Sequence, residues 1–138
     1  MSDRPILLDT HAALWTSEQG RLSPKAEEEI RGAHAQSVGV FISPISAWEL
    51  GMLIARGRLA LPLPPASWFD QLAESGVVWA PLTPQVLIDA SFLPGRIHGD
   101  PADRILVATA RTFGYRLMTR DRALLGYAEA GHLQALAC

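Results

Sequence analysis

The chain has 138 residues, of which 49% are hydrophobic and 19% are charged, and its 12 basic and 14 acidic side chains give a formal net charge of −2. This composition excludes a disordered or low-complexity chain, and the near-neutral charge argues against a strongly basic protein that coats nucleic acid. The length fits one compact domain over residues 1–138.

The cysteine content and the start of the chain bear on the compartment. Cys138 is the one cysteine, which excludes an intramolecular disulfide and fits a reducing environment. The start lacks the apolar run of a signal peptide, and no apolar run reaches the roughly 18 residues of a membrane span. We therefore expect a cytoplasmic protein that does not associate with a membrane.

Strand-like and helix-like segments alternate along the chain. Short apolar runs, typical of strands buried on both faces, predict strands at residues 5–9, 38–42, 77–79, 115–119 and 133–137. A capping residue followed by proline opens several helices. The predicted helices cover residues 10–15, 23 onward, 44–55, 65–74, 83–94 and 100–114. The alternation predicts right-handed crossovers and an α/β fold whose parallel sheet has helices on both faces.

Four acidic residues follow or flank the predicted strands. Asp9 ends the first strand, and Glu49 lies in the helix after the second. Asp103 lies in the first turn of a helix, and Asp121 follows the fourth strand. Ligands of open α/β sheets bind beyond the carboxyl ends of the strands. We therefore expect these four carboxylates to converge on one site.

A divalent cation would resolve the repulsion within such a site. Glu49 shares a helix stripe with Ile45 and Met52, and Asp9 closes a run without another polar group. An ionised carboxylate removed from water is strongly disfavoured unless it is paired or binds a metal. Mg²⁺ and Mn²⁺ prefer carboxylate and water ligands. One or two such ions would activate water for attack on a phosphodiester.

Each acidic residue also has a structural interpretation. Asp100 fits a helix N-cap, and Asp103 fits the acidic partner of a capping box. Asp121 could cap the following helix, Glu49 could pair with an arginine, and a strand-end Asp9 could make a turn. The coincidence of four acidic residues at matching points of the fold favours a shared site.

Four segments resemble the motifs of the PIN-domain ribonucleases, in particular the VapC-type toxins of bacterial toxin–antitoxin pairs. They are residues 6–15 (ILLDTHAALW), 43–50 (SPISAWEL), 98–110 (HGDPADRILVATA) and 117–121 (LMTRD). The acidic positions of the family fall at Asp9, Glu49, Asp103 and Asp121, in the order and spacing of the family.

The resemblance implies a PIN-like three-layer domain with a central parallel five-stranded sheet flanked by helices. It implies a Mg²⁺- or Mn²⁺-dependent endoribonuclease toxin that hydrolyses RNA, often tRNA or rRNA in this family. Asp9 and Asp103 would be the main metal ligands, and Glu49 and Asp121 would complete the catalytic site through water or a second ion. A small cognate antitoxin and homodimer formation are also implied.

Several neighbouring side chains have a functional and a structural interpretation. Thr119, and less strongly Thr10 and Ser46, either hydrogen-bond a metal-bound water or serve as ordinary hydroxyls at the ends of elements. His11 and His98 flank the acidic positions. Either histidine could approach a phosphate, although a histidine that simply occupies a loop is the commoner case.

Arginine is concentrated near the last two motifs, where residues 96–122 contain six Arg and three Asp. This asymmetry would steer RNA toward the site. We expect Arg104 to form a structural ion pair, whereas Arg120 and Arg122 are better candidates for phosphate contact.

Two further stretches have predicted roles. The acidic run 27–29 is expected to be a solvated helix face. The apolar stretch around Gly57 is expected to be mostly core, with part of it open as a groove for an antitoxin helix or for dimerisation. Its large side chains are Trp48, Met52, Leu53, Leu59, Leu61 and Leu63.

Two other functions compete with nuclease activity. A haloacid-dehalogenase-type phosphatase also uses a strand-end Asp, but it requires a second Asp two positions later, where this chain has His11. A catalytically silent PIN-like module that only binds RNA or a partner has the same fold. That all four acidic positions are filled argues against the silent module.

Overall fold

The computed structural model describes residues 4–18 and 20–138. The first three residues, which entered the argument about a signal peptide, lie outside these ranges. Within them, no helix is both long enough and apolar enough to cross a membrane.

Five short strands form one parallel sheet. They are β1 (Ile6–Leu8), β2 (Val40–Ile42), β3 (Val77–Trp79), β4 (Arg116–Thr119) and β5 (Ala135–Ala137). Their order across the sheet is β3-β2-β1-β4-β5, and Ile6 of β1 lies between Val40 of β2 and Arg116 of β4. The predicted five-stranded parallel sheet is confirmed.

The helices begin where the capping signals place them. They are α1 (Thr10–Thr16), α2 (Pro24–Ala35), α3 (Pro44–Ala55), α4 (Pro65–Glu74), α5 (Pro84–Asp89), α6 (Pro101–Phe113) and α7 (Arg122–Glu129). The hydroxyls of Ser23, Ser43 and Thr83 each accept a hydrogen bond from a first-turn N–H group, as N-caps do. Helix α5 ends at Asp89, earlier than the predicted end at residue 94. The Nε of Arg104 donates to the carbonyl oxygen of Ala90 at this end.

Alternate residues of the strands point to two separate cores. Ile6 and Leu8 pack with α1, α2 and α4 on one face of the sheet. Leu7 and Leu117 pack with α6 and α7 on the other face. This arrangement explains why the strands consist of continuous apolar runs, since both faces are covered by helices.

The acidic run at residues 27–29 is only partly solvated, which corrects the prediction for this helix face. Glu29 Oε1 lies 2.6 Å from Nη1 of Arg116, whose side chain is 7% exposed. The same guanidinium donates to the carbonyl oxygen of Arg4. A mostly buried guanidinium needs such partners because an unpaired buried charge is strongly unfavourable.

The strand order places a topological switch point between β1 and β4. The chain runs from β1 to β2 on one side, whereas β4 lies on the other side of β1. The carboxyl ends of β1 and β4 are joined by a hydrogen bond from the Asp9 N–H to the Met118 carbonyl oxygen, at 3.0 Å. A switch point of this kind leaves a crevice in which ligands of α/β proteins bind.

Candidate active site

A cavity of about 410 Å³ lies at this switch point. Its lining residues come from the ends of β1 and β4 and from α1, α3 and the start of α6. They are Asp9, Thr10, His11, Trp15, Glu49, Asp100, Asp103, Arg120 and Asp121. The structure thus brings together all four carboxylates that the sequence singled out, and it adds a fifth, Asp100.

Asp9 is the most enclosed of the four carboxylates, with 8% of its surface exposed. It is the N-cap of α1, and its Oδ1 accepts the N–H of Ala12 at 2.7 Å. Burial raises the pKa of Asp9, and the negative charge of Asp121 adds to this rise. The Thr119 hydroxyl, the Ala12 N–H and His11 lower the same pKa. Asp9 therefore lines the cavity, as the functional interpretation predicted. It also caps the turn of chain that follows β1, as the structural interpretation predicted.

Glu49 is held by two buried hydroxyls. Thr10 Oγ1 donates to Glu49 Oε1 at 2.5 Å and lies 2.9 Å from Ser46 Oγ. Because a hydroxyl has one hydrogen to donate, the Ser46 hydroxyl donates to Thr10 in this arrangement. Thr10 and Ser46 therefore form a short relay that fixes the carboxylate of Glu49.

Asp121 and Thr119 connect the end of β4 to α7. Asp121 Oδ1 accepts the N–H of Leu124 at 3.0 Å, so Asp121 caps α7 as one interpretation predicted. The N–H of Asp121 donates to Thr119 Oγ1 at 3.0 Å. Thr119 is fully buried and its hydroxyl hydrogen-bonds the carboxylate of Asp9, so this threonine links the Asp9 carboxylate to the main chain of Asp121.

Asp100 and Asp103 lie at the start of α6. Asp100 Oδ1 accepts the N–H of Asp103 at 3.0 Å, as the N-cap prediction requires. Sequence reasoning assigned Asp100 this capping role alone and missed its place in the cavity. Nothing in the Asp-Pro pair distinguishes a cap that faces solvent from one that faces a site.

Burial and carboxylate repulsion together set the electrostatics of the cavity, and burial makes the larger contribution. Burial raises the pKa of Asp103 from its ordinary 3.8 to about 7, and the charges of Asp100, Asp121, Glu49 and Asp9 add to the rise. The site therefore resists full ionisation without a cation.

The donor set fits a divalent cation. One oxygen each of Glu49, Asp103 and Asp121 is engaged by Thr10, His98 and the Leu124 N–H respectively. This leaves the second oxygen of each carboxylate for a metal ion. The ligand atoms of His98, Asp103 and Asp121 lie within 4.8 Å of one another. Oxygen-rich sets of this kind suit Mg²⁺ or Mn²⁺.

The arginines near the site have distinct roles. Arg104 donates to the carbonyl oxygens of Ala90, Ile97 and His98. No described carboxylate lies within ion-pair distance of it, so the predicted ion pair is wrong although the role is structural. We expected a carboxylate partner because the sequence does not indicate which main-chain carbonyl oxygens an arginine will reach.

Arg120 lies at the wall of the cavity, whereas Arg122 is not among its lining residues. The guanidinium carbon of Arg120 lies 3.9 Å from the centre of the Trp15 ring. Its Nη2 donates to the main-chain oxygens of Arg21 and Cys138, at 2.9 Å and 2.7 Å. Arg120 is thus a fixed positive charge beside the carboxylates, and Trp15 is a second lining residue that sequence reasoning missed.

The apolar stretch around Gly57 is less buried than the sequence predicted, because none of its six large side chains is fully buried. Leu59, Leu61 and Leu63 pack against the core while partly exposed, whereas Trp48 is 52% exposed. A second cavity of about 480 Å³ runs along this stretch, between α1, residues 58–62 and α4. It shares His11 and Trp15 with the acidic cavity, so a groove lined by both apolar and polar side chains adjoins the carboxylate site.

Comparisons with known proteins identify relatives of this chain. The PIN domain family matches residues 6–130. The chain is 44% identical over 120 residues to Ribonuclease VapC22 of Mycobacterium tuberculosis, an alignment that covers 86% of this chain and 88% of that protein.

Solved structures share the fold at low sequence identity. VapBC2 from Rickettsia felis, bound to a DNA fragment from its promoter, superposes with a TM-score of 0.68 at 15% identity, over 96% of this chain and 98% of that chain. FitAcB from Neisseria gonorrhoeae superposes with a TM-score of 0.58 at 16% identity, over 95% of this chain and 96% of that chain.

Proposed function

This chain belongs to the PIN domain family, and on that premise we propose that it is an endoribonuclease that acts as the toxin of a toxin–antitoxin pair. The observation that carries the proposal is the convergence of five carboxylates on one cavity at the switch point of the sheet. Its likeness to Ribonuclease VapC22 supports RNA as the substrate class. The proposal treats residues 1–138 as one catalytic domain.

The four predicted carboxylates are proposed to hold Mg²⁺ or Mn²⁺. Asp9 and Asp103 would be the main ligands, as the resemblance to the family implies, and burial raises the pKa of both. Glu49 and Asp121 would complete the site through water or a second ion. The exposed oxygens of Asp100 would add negative charge at the entrance.

The bound cation would lower the pKa of water for attack on phosphorus and would stabilise the charge that develops on the phosphate. The residues of the chain then have separate tasks. Thr10 and Ser46 fix Glu49, and Thr119 supports Asp9. Arg120 presents a positive charge at the cavity wall, where a phosphate of the RNA backbone would contact it.

The proposal is tested with purified protein freed of any partner. A mixture of tRNA and rRNA should be cleaved internally in Mg²⁺ or Mn²⁺ but not in EDTA. Asp9→Asn should abolish cleavage, whereas Asp70→Asn, which changes an exposed carboxylate of α4 outside the cavity, should not. Mapping the new RNA ends would identify the target. Full activity in EDTA, or unchanged cleavage by Asp9→Asn, would refute the mechanism.

The partner is proposed to be a small antitoxin that binds the groove beside the active site. The groove combines the apolar side chains of Leu53, Leu61 and Trp68 with the charges of Arg21 and Arg58, which suits an amphipathic segment. Because the groove and the acidic cavity share two lining residues, a segment bound there lies next to the carboxylates. Addition of the cognate antitoxin should therefore stop cleavage.

Homodimer formation is the last part of the proposal. Three large apolar side chains are exposed within residues 87–92: Leu87 by 43%, Ile88 by 53% and Phe92 by 80%. Exposed apolar patches mark protein–protein contact sites, and these three side chains lie close together in the chain. Sedimentation velocity should give the mass of two chains.

A further inference from the structure

His98 lies against one of the proposed metal ligands, in the loop that precedes α6. Its Nε2 is 3.3 Å from Asp103 Oδ2, and the two side chains are 32% and 21% exposed. Its other ring nitrogen, Nδ1, accepts the N–H of Asp100 at 3.2 Å. The imidazole is therefore held from both sides by residues at the entrance of the cavity.

These two contacts define which nitrogen carries the proton. An Nδ1 that accepts a backbone N–H cannot itself bear a hydrogen, so the hydrogen of the neutral ring is on Nε2. That hydrogen is then directed toward Asp103 Oδ2, which lies 3.3 Å from Nε2. In this tautomer Nε2 has no free lone pair, and it cannot ligate a metal ion unless the contact with Asp100 is lost.

The loop that carries His98 is fixed by Arg104. Its Nη1 lies 3.3 Å from the carbonyl oxygens of both Ile97 and His98, and its Nε donates to Ala90. Ile97 also packs against the core beneath α6. The position of the imidazole is thus determined by the scaffold and not by the proposed metal ion.

We propose that His98 is a positioning residue, which orients the Asp103 carboxylate so that Oδ1 faces the cation. The inference rests on the proposed function. Hydrogen bonds to a ligating carboxylate fix its orientation, and loss of such partners typically weakens metal affinity by about 10–100-fold. The alternative is that His98 ligates the ion directly, since its ligand atom lies within 4.8 Å of those of Asp103 and Asp121.

Two substitutions separate the two contacts of the imidazole. In His98→Asn, the side-chain oxygen occupies the position of Nδ1 and keeps an acceptor for the Asp100 N–H, but the donor to Asp103 is lost. In His98→Gln, the amide nitrogen reaches the position of Nε2 and keeps that donor. Isothermal titration with Mn²⁺ should show affinity about 10–100-fold weaker for His98→Asn and close to wild type for His98→Gln.

Electron spin-echo spectroscopy of the Mn²⁺-loaded wild-type protein tests the same point without a substitution. The positioning role predicts no imidazole nitrogen coupling to the manganese. A coupling that disappears in both variants would show direct ligation and overturn the proposal, as would unchanged Mn²⁺ affinity in His98→Asn. A wild-type protein that binds no Mn²⁺ would instead refute the proposed function. Thermal melting in EDTA serves as the check that both variants fold.

Discussion

Without a bound cation, ionisation of Asp103 should destabilise the folded protein. Burial and four neighbouring carboxylates raise the pKa of this group from 3.8 to about 7. The unfolded chain exposes Asp103 to water, where its pKa is the ordinary one. Below pH 3.8 the group is protonated in both states. As the pH rises toward and through 7, ionisation favours the unfolded state, so stability is lost over this window.

The size of this loss follows from the shift. A rise from 3.8 to about 7 corresponds at full strength to about 4 kcal/mol. Because 21% of the Asp103 side chain is exposed, solvent and salt screen the repulsion. We therefore expect about 1–2 kcal/mol between pH 5 and pH 8. For a domain of this size, that corresponds to about 4–8 °C in the melting temperature.

The assay measures the melting temperature in EDTA at pH 5 and pH 8, with circular dichroism as the signal. Asp103→Asn keeps the shape of the side chain but cannot ionise, so it should lose less stability than wild type between the two pH values. Asp70→Asn on the exposed face of α4 is the matched control. Added Mn²⁺ should raise the melting temperature of wild type at pH 8 and leave that of Asp103→Asn nearly unchanged.

Comparison of wild type with Asp103→Asn separates the effect of ionising Asp103 from the effect of all other titrating groups. If wild type and Asp103→Asn differ by the same melting temperature at pH 5 and pH 8, the carboxylate is not held under repulsion and the electrostatic reasoning is refuted. If Asp70→Asn behaves like Asp103→Asn, the effect arises from net charge and not from the cavity.

Three further predictions concern RNA binding, the support of Glu49 and the dimer surface. In an Asp9→Asn background, Arg120→Ala should weaken RNA binding and reduce the slope of log affinity against log salt by about 0.7. Arg122→Ala should change both quantities less. Equal losses in the two variants would contradict a specific role for Arg120 at the cavity wall. Thr10→Val should lower the cleavage rate about 10–100-fold, because Glu49 loses its donor, while Thr10→Ser should retain activity. Phe92→Asp should produce a species with the mass of one chain in sedimentation velocity, and an unchanged dimer would exclude this surface.

The regular elements could be predicted from the sequence because their signals are local. The continuous apolar runs at β1 and β4 reflect burial on both faces, which a parallel sheet imposes. Serine and threonine before proline mark helix starts that the structure confirms at Ser23, Ser43 and Thr83. The convergence of the four carboxylates was also predictable, since parallel strands present their carboxyl ends at one edge.

The contacts that complete the cavity could not be predicted, because they join residues far apart in the chain. Arg104 reaches back 14 positions to Ala90, and Arg116 pairs with Glu29 across 87 positions. The loop conformation that Arg104 sets is what brings His98 against Asp103. Local sequence patterns carry no information about such a loop, so an acidic partner for Arg104 was the natural but wrong expectation.

The charge of the cavity also sets an order for the proposed reaction. An RNA phosphate is anionic, and five carboxylates in the absence of a cation would repel it. Arg120 is a single opposing charge and two of its hydrogen bonds go to main-chain oxygens. A bound cation would neutralise the carboxylates and attract the phosphate, so metal and RNA should bind with positive coupling. Because coupling between two ligands is reciprocal, RNA should tighten Mn²⁺ binding by the same factor by which Mn²⁺ tightens RNA binding.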